Sequence, residues 1–321
     1  MSIITVLGAT GLQGGSVVQK LKANSSWKIR AVTRNPEGKS AKELSSQGIQ
    51  VVQADLDDAK SLEVAFEGST AIFAVTNFWA APFTDPISLN ERGQQEYQQI
   101  LNIGKAASRV STLKHLVISS LPWAEKVSSG KHKVPHLDYK ARGVAEVEAQ
   151  YPELAAKSTI LWVGYYASNM ALIPTVKPLF WPAVGKYIWA SPSKPEGVIP
   201  IAGNISHNVG VTVDKILQKP AQTHGKIVIL VTEYLSHEDA LKIWEKVSGK
   251  EAVYVELTNK SAEALMGQVA VELSAQFRFS EEYPNQHGFE PERTVSVAGL
   301  GIADELIGLE GTLRLYSDHL A

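Results

Sequence analysis

The 321-residue chain carries 31 Lys and Arg against 33 Asp and Glu, a net charge of −2, so bulk electrostatics indicate neither a nucleic-acid nor a membrane-surface partner. It has no cysteine, which excludes disulfides, thiolate metal sites and a cysteine nucleophile or redox sensor within it. With 44% hydrophobic and 20% charged residues, no apolar run long enough for a membrane span and no signal-peptide pattern, a globular cytoplasmic protein of one large or two ordinary domains is expected.

In chain order, Ile3–Leu7, Ile29–Thr33, Ile49–Val52, Ala71–Val75, His115–Ser119 and Thr159–Val163 read as apolar strands separated by helical stretches. Such strands are buried on both faces, as in a parallel sheet with helices on either side. Ser16–Leu21, Ser61–Phe66 and Tyr97–Val110 show the three- and four-residue apolar spacing of those helices. The repeats predict an α/β fold, a doubly wound parallel-sheet Rossmann domain over residues 1–163. Gly164–Gly203 then loses the period and concentrates Tyr165, Tyr166, Phe180, Trp181, Tyr187 and Trp189. Such a region suits either a wall over a ligand cleft or the packing of a second lobe. Asn208–Leu217 and Lys226–Val231 read as a helix and strand that return residues 205–235 to the sheet. Glu238–Val247 predicts a helix, Val253–Val255 a strand and Ala262–Phe277 one further helix, within a smaller mixed α/β lobe over 164–321.

The stretch Gly8-Ala9-Thr10-Gly11-Leu12-Gln13-Gly14 joins the first strand to the first helix. Glycines spaced by three at such a junction allow a tight turn and close approach of an anionic ligand. The helix start beyond it offers open N–H groups and the positive end of its dipole to a pyrophosphate. The second strand ends in Thr33-Arg34-Asn35-Pro36. Dinucleotide folds that prefer NAD place an acid near this point, about twenty residues beyond the glycines, to accept from a ribose hydroxyl. Arg34 stands there instead, and a guanidinium pairs bidentately with a phosphate, which predicts NADP(H).

At the third strand's end Asp55 can accept from the adenine amine while Leu56 packs on the ring, and Asp57 and Asp58 are expected to cap the next helix. At the fourth, Thr76, Asn77 and Phe78 reach the carboxyl edge of the sheet, where ligands bind in such folds. Phe78, Trp79 and Phe83 fit a packed loop equally well.

Together these motifs resemble the NmrA-like family, an atypical branch of the short-chain dehydrogenase/reductase superfamily. The likeness continues through Val134-Pro135-His136-Leu137-Asp138-Tyr139-Lys140 and Thr159–Asn169. It implies NADP(H) contacts at Gly8, Ala9, Thr10, Gly11, Leu12, Gln13, Arg34, Asp55, Leu56, Thr76, Asn77, Phe78, Lys140, Tyr165, Tyr166 and Asn169. Active short-chain dehydrogenases use Tyr-x-x-x-Lys as acid and ribose holder, with a Ser or Thr from the fifth strand orienting the carbonyl. Ser119-Ser120 offers that hydroxyl and Lys140 matches the lysine, but His136 occupies the tyrosine position. Tyr139 lies about 100° away round a helix and cannot replace it.

The departure leaves two readings. His136, whose ordinary pKa lies near neutral, acts as general acid, or the site has lost hydride transfer and His136 caps or packs. Tyr165 or Tyr166 offers an alternative phenol from the opposite wall. The first reading predicts an NADPH-dependent reductase of a small apolar carbonyl, imine or enone, with Ser120, His136, Lys140 and Tyr166 as candidate catalytic groups. Its pocket would be lined by Phe78, Trp79, Trp123, Tyr165, Tyr166 and Trp181. The second predicts an NADP(H) sensor with a protein partner, or a pocket for a non-redox reaction with NADP bound structurally. The remaining histidines lack metal-ligand spacing, and no nucleophile elbow or Walker loop is present. The basic cluster Lys126–Lys133 is expected to be a solvated flap at the cleft rim, not a nucleic-acid patch.

Overall fold

The computed structural model describes residues 2–80, 85 and 87–320, so the Phe83 expectation lies outside the described residues. The first half alternates strand and helix. Its strands are β1 (Ser2–Val6), β2 (Trp27–Thr33), β3 (Gln50–Gln53), β4 (Ala71–Ala74), β5 (His115–Ser120) and β6 (Ser158–Val163). Its helices are α1 (Leu12–Lys22), α2 (Lys39–Ser46), α3 (Ala59–Phe66), α4 (Leu89–Ser108), α5 (Ala124–Val127), α6 (Pro135–Gln150) and α7 (Pro152–Ala155).

The second half contains β7 (Tyr165–Tyr166), α8 (Asn169–Leu172), β8 (Leu179–Trp181), β9 (Lys186–Ser191), β10 (Val198–Gly203), α9 (Ile205–Gln218), α10 (Pro220–Thr223), β11 (Lys226–Leu230) and β12 (Glu233–Ser236). It ends with α11 (His237–Ser248), β13 (Ala252–Glu256), α12 (Asn259–Met266), α13 (Gln268–Glu282), β14 (Thr294–Ser296), α14 (Val297–Leu300) and α15 (Leu309–Leu315).

The central sheet has eight strands in the order β14-β11-β6-β5-β4-β1-β2-β3, every neighbouring pair parallel. Its 3-2-1-4-5-6 core is the doubly wound order, and the chain reverses direction across the sheet between β1 and β4. One face buries Ile4, Val6, Val117 and Leu161 under α1 and α9, and the other buries Ile72, Ile118 and Ile160 under α3, α4 and α6. Strand residues two apart therefore enter the same core, and both faces are apolar.

The aromatic stretch after Val163 supplies strands to two small sheets, β12-β10-β7 and β13-β9-β8. Beneath them lies a third core of Tyr165, Trp189, Trp244, Leu273 and Phe277. The helix expected over Ala262–Phe277 is two helices, because Gly267 adopts φ +65° between α12 and α13. That left-handed step breaks the ladder at little cost only for glycine.

α9 lies close against α1 because Gly210 has no side chain. A Cβ there would stand 2.3 Å from the Ser16 carbonyl oxygen, and the Gly210 N–H donates to Ser16 Oγ at 2.8 Å. Gly210→Ala should therefore destabilise the protein by roughly 1–3 kcal/mol although alanine is the better helix former. Gly15→Ala, whose Cβ would make an ordinary 3.5 Å contact with Ala9 O, should be neutral or stabilising. Denaturant melts of the two variants check the contrast.

Three histidines are held neutral inside the fold. Burial, with His224 beside it, pushes His115 down to about 3, and burial pushes His237 and His287 each to about 4. Their folded values lie below the unfolded value of about 6.5, so the unfolded chain binds more protons as the pH falls between the two. The stability they contribute is complete above that unfolded value and is lost as the pH falls through about 4. Chemical denaturation should show a lower unfolding free energy at pH 4.5 than at pH 7, and an unchanged value would contradict this account.

Candidate active site at the β1–β4 crevice

The glycine turn follows β1 at the point where the sheet reverses direction. Gly8 has φ +63°, and a Cβ on it would meet Val75 Cγ1, just past β4, at 2.7 Å. A Cβ on Gly14 would stand 2.2 Å from the Gly8 carbonyl oxygen, so α1 sits on the turn only with glycine there. Gly11 differs: its Cβ would make an ordinary 3.4 Å contact, and the protein's own packing leaves the space beside it open. Gly11 caps α1 with no side-chain hydrogen bond, and no acid stands in the first turn. Leu12 beside it is 48% exposed. The turn therefore presents an uncapped helix N-terminus of the kind that binds a phosphate.

Arg34, just beyond β2, is exposed, and among the described residues no carboxylate lies within ion-pair distance of it. Gln53 Nε2 fixes its carbonyl at 3.1 Å, which ties the ends of β2 and β3 together. Asp55 Oδ1 accepts from the Asp57 N–H at 3.0 Å, and Leu56 packs partly buried on the core beneath. Asp58 caps α3 by accepting from the Lys60 N–H at 2.9 Å. Asp57 does not share that role. Its two oxygens accept from Gln95 and Gln99 of α4, because α4 runs within reach of the turn.

Thr76 is buried where β4 ends. Its hydroxyl donates to Glu96 Oε1 at 2.7 Å, and Lys140 Nζ lies 3.0 Å from the same oxygen and 3.4 Å from the Thr76 carbonyl. Glu96 on α4 and Lys140 on α6 thus form a buried ion pair, with side-chain exposures of 1% and 9%. Gln13 Nε2 reaches across from the glycine turn to the Tyr166 hydroxyl at 2.6 Å. Burial pushes that phenol up from its ordinary value, the Gln13 bond offsets part of the rise and Glu96 adds to it. Asn77 is exposed, and its side chain accepts from the Trp79 N–H at 3.0 Å.

His136 lies one turn before Lys140. Pro135 starts α6, as expected of a residue whose missing N–H is an orphan there anyway. The His136 N–H donates to Glu272 Oε1 at 2.8 Å, and Nδ1 lies 2.5 Å from the same oxygen. Glu272 is fully buried on α13. The rings of Phe78 and Trp79 stand 5.9 and 5.3 Å from the imidazole. Residues four apart share a helix face, so His136 and Lys140 project from the same side of α6. Tyr139 points elsewhere, into the space left by Gly93 of α4, where a Cβ would meet its ring at 2.1 Å.

Gln13 thus meets Tyr166, Thr76 and Lys140 share Glu96, and Phe78 stands against His136, one turn before Lys140 on α6. Tyr165 is not brought to the glycine turn. The pair forms β7, not a turn, and consecutive strand residues face opposite ways. Tyr165 enters the small lobe's core against Phe277, where burial pushes its phenol up and Asn169 beside it offsets part of the rise. Trp123 packs beside Lys126 and Arg142. Trp181 lies on β8 opposite Lys186 and is 55% exposed.

In the basic cluster Lys126, Lys131 and Lys133 are exposed, as expected of a solvated segment, and their charges are matched: Lys131 and His132 pair with Glu282 of α13, Lys126 with Glu290 and Lys133 with nearby Glu125. Ser120 Oγ, Gln13 Oε1, Glu96 Oε2 and Glu272 Oε2 are buried without a hydrogen-bond partner among the described residues. Buried polar atoms are seldom left so, and Gln13 Oε1 beside Tyr166 and Glu96 Oε2 beside Lys140 fit a polar ligand bound at the crevice.

Sequence reading missed Glu96 and Glu272. Glu96 left a signal: it stands four and seven residues before Ile100 and Ile103, on the buried stripe of α4. α13 buries residues around most of its circumference, so Glu272 breaks no visible pattern.

The model of the NmrA-like family matches residues 1–306. An NmrA-like family domain-containing oxidoreductase of Aspergillus japonicus, himF, is 30% identical over 284 residues, covering 85% of this chain and 81% of its own length. A crystal structure of a mutant NmrA superposes with a TM-score of 0.78 at 22% identity, over 98% of this chain and 94% of that one. The Citrobacter sp. triphenylmethane reductase complexed with NADP(H) gives a TM-score of 0.71 at 20% identity, over 98% of this chain and all 100% of that one. The glycine turn, the doubly wound sheet and this match over nearly the whole sequence agree: the chain belongs to the NmrA-like family.

Proposed function

We propose that the chain is an NADP(H)-dependent oxidoreductase that reduces a small, largely apolar carbonyl, imine or enone. The observation that carries this reading is the pairing of His136 and Lys140 on one buried face of α6, each held by its own buried carboxylate. The cofactor fits the residues present. Gly8, Ala9, Thr10, Gly11, Leu12 and Gln13 and the open start of α1 suit the pyrophosphate, and the unpaired Arg34 suits the 2′-phosphate. Asp55 and Leu56 would flank the adenine, and Thr76, Asn77, Phe78, Lys140, Tyr166 and Asn169 the nicotinamide half. NADP(H)-bound relatives of the same fold support this assignment. When bound, the cofactor supplies the reducing equivalent.

The chain's own residues then have separate tasks. Lys140 presents an ammonium anchored by Glu96 and Thr76 and would hold a ribose hydroxyl. His136 would deliver a proton from Nε2 to the oxygen, nitrogen or enolate carbon of the acceptor, since Nδ1 is occupied by Glu272. The rings of Phe78 and Trp79 stand tilted against the imidazole and give it an apolar side. Ser120 Oγ, buried and unpartnered, is available to orient the acceptor atom. Tyr166 is the weaker proton donor because burial pushes its phenol up. The His136–Glu272 pair supports this catalytic reading over an NADP(H) sensor, which needs no such pair.

Arg34→Ala should weaken NADPH binding by about 10- to 100-fold in calorimetry, the range expected for losing hydrogen bonds to a charged group, and should leave NADH binding unchanged. Equal NADPH affinity would contradict the phosphate assignment. His136→Ala should lower NADPH oxidation across a carbonyl, imine and enone panel by roughly 10²-fold or more, with NADPH affinity unchanged. Undiminished turnover would remove His136 as the donor.

A further inference from the structure

We propose that Glu272 is the positioning residue for His136, so that the smaller lobe controls how the site handles its proton. The inference rests on the reading of His136 as proton donor and names the residue through which it acts. Two donors of one residue, the His136 N–H at 2.8 Å and Nδ1 at 2.5 Å, converge on a single oxygen of Glu272. A carboxylate only accepts, so the hydrogen in that contact sits on Nδ1. The N–H bond fixes the backbone at the start of α6, and the ring bond fixes the imidazole's rotation about it. Phe78 and Trp79 stand against the ring. Nε2 is then the atom left to meet a ligand.

Energetics argue against a merely structural carboxylate. Glu272 is fully buried and its second oxygen has no partner among the described residues. Burying a charge with so few hydrogen bonds is expensive, and well-packed apolar replacements of buried pairs are often neutral or stabilising. The charged group that shares the α6 face, Lys140, is already engaged by Glu96.

The proton balance is simple. The imidazolium carries hydrogen on both nitrogens, the Nε2 proton passes to the acceptor, and the ring remains as the Nδ1–H imidazole that Glu272 binds. Glu272 stays a carboxylate throughout. Solvent returns the proton to Nε2 for the next cycle.

Nitrogen NMR of histidine-labelled protein at pH 8, without cofactor, tests the positioning directly. Nδ1 of His136 should carry the hydrogen in the wild type, and Glu272→Leu should release the ring to the Nε2–H form. In steady-state kinetics Glu272→Gln, which keeps shape and loses charge, should lower kcat roughly tenfold or more while KM for NADPH stays within about twofold. A bare Nδ1 in the wild type, or Glu272→Gln with kcat within about twofold of wild type, would overturn the proposal. A wild type that reduces nothing on the panel yet shows Nδ1–H would instead refute the reductase reading and leave the positioning intact.

Discussion

Two buried carboxylates reach helix α6 from different parts of the fold, and the candidate site depends on that clamp. Glu96 comes from α4 and holds Lys140, while Glu272 comes from α13 and holds His136. Losing one member of a buried ion pair typically costs about 3–5 kcal/mol, whereas replacing both by apolar groups is often neutral. The pairs are thus poor devices for stability alone. They set where an ammonium and an imidazole stand at the edge of the sheet, four residues apart on one face.

The rest of the architecture brings a ligand to that edge. Because β4 lies next to β1, the loops leaving both strands meet, and the contact demanded by Gly8 against Val75 is the physical sign of their closeness. The same crevice receives the open N-terminus of α1, the buried Thr76 and the Gln13–Tyr166 bond to the second lobe. Tyr166 and Glu272 both belong to the second half of the chain, so the polar groups of the site are drawn from both halves of the sequence. α9, pressed onto α1 through Gly210, and β11, paired with β6, tie that half back onto the first.

Much of this was legible from residues close together in sequence. The six strands through β6 form where the apolar runs lie, fully buried in β4, β5 and β6 and only partly buried in the edge strand β3, and Pro135 marks the start of α6. The turn chemistry of Gly8 and Gly14 could be read from spacing, since a positive φ and a close approach to the Gly8 carbonyl are local backbone demands. Long-range partners could not. His136 and Glu272 stand 136 residues apart, and no local pattern couples them. The basic run Lys126–Lys133 is exposed as its composition suggests, but its partners Glu282 and Glu290 lie in distant segments and could not be read from it. Asp57 looked like a cap because the glutamines it binds are on α4. Gly267 was hidden inside an apolar period that continues across it, and only its positive φ reveals the break.

What separates a working hydride-transfer site from a dinucleotide sensor is the surroundings of the nicotinamide. A crystal structure of the protein with bound NADPH tests this most directly. The account predicts the ribose beside Lys140 and the nicotinamide ring next to His136, with one face open to a cavity the size of a small apolar molecule. A nicotinamide turned away from α6, or one whose both faces are covered by protein, would contradict it.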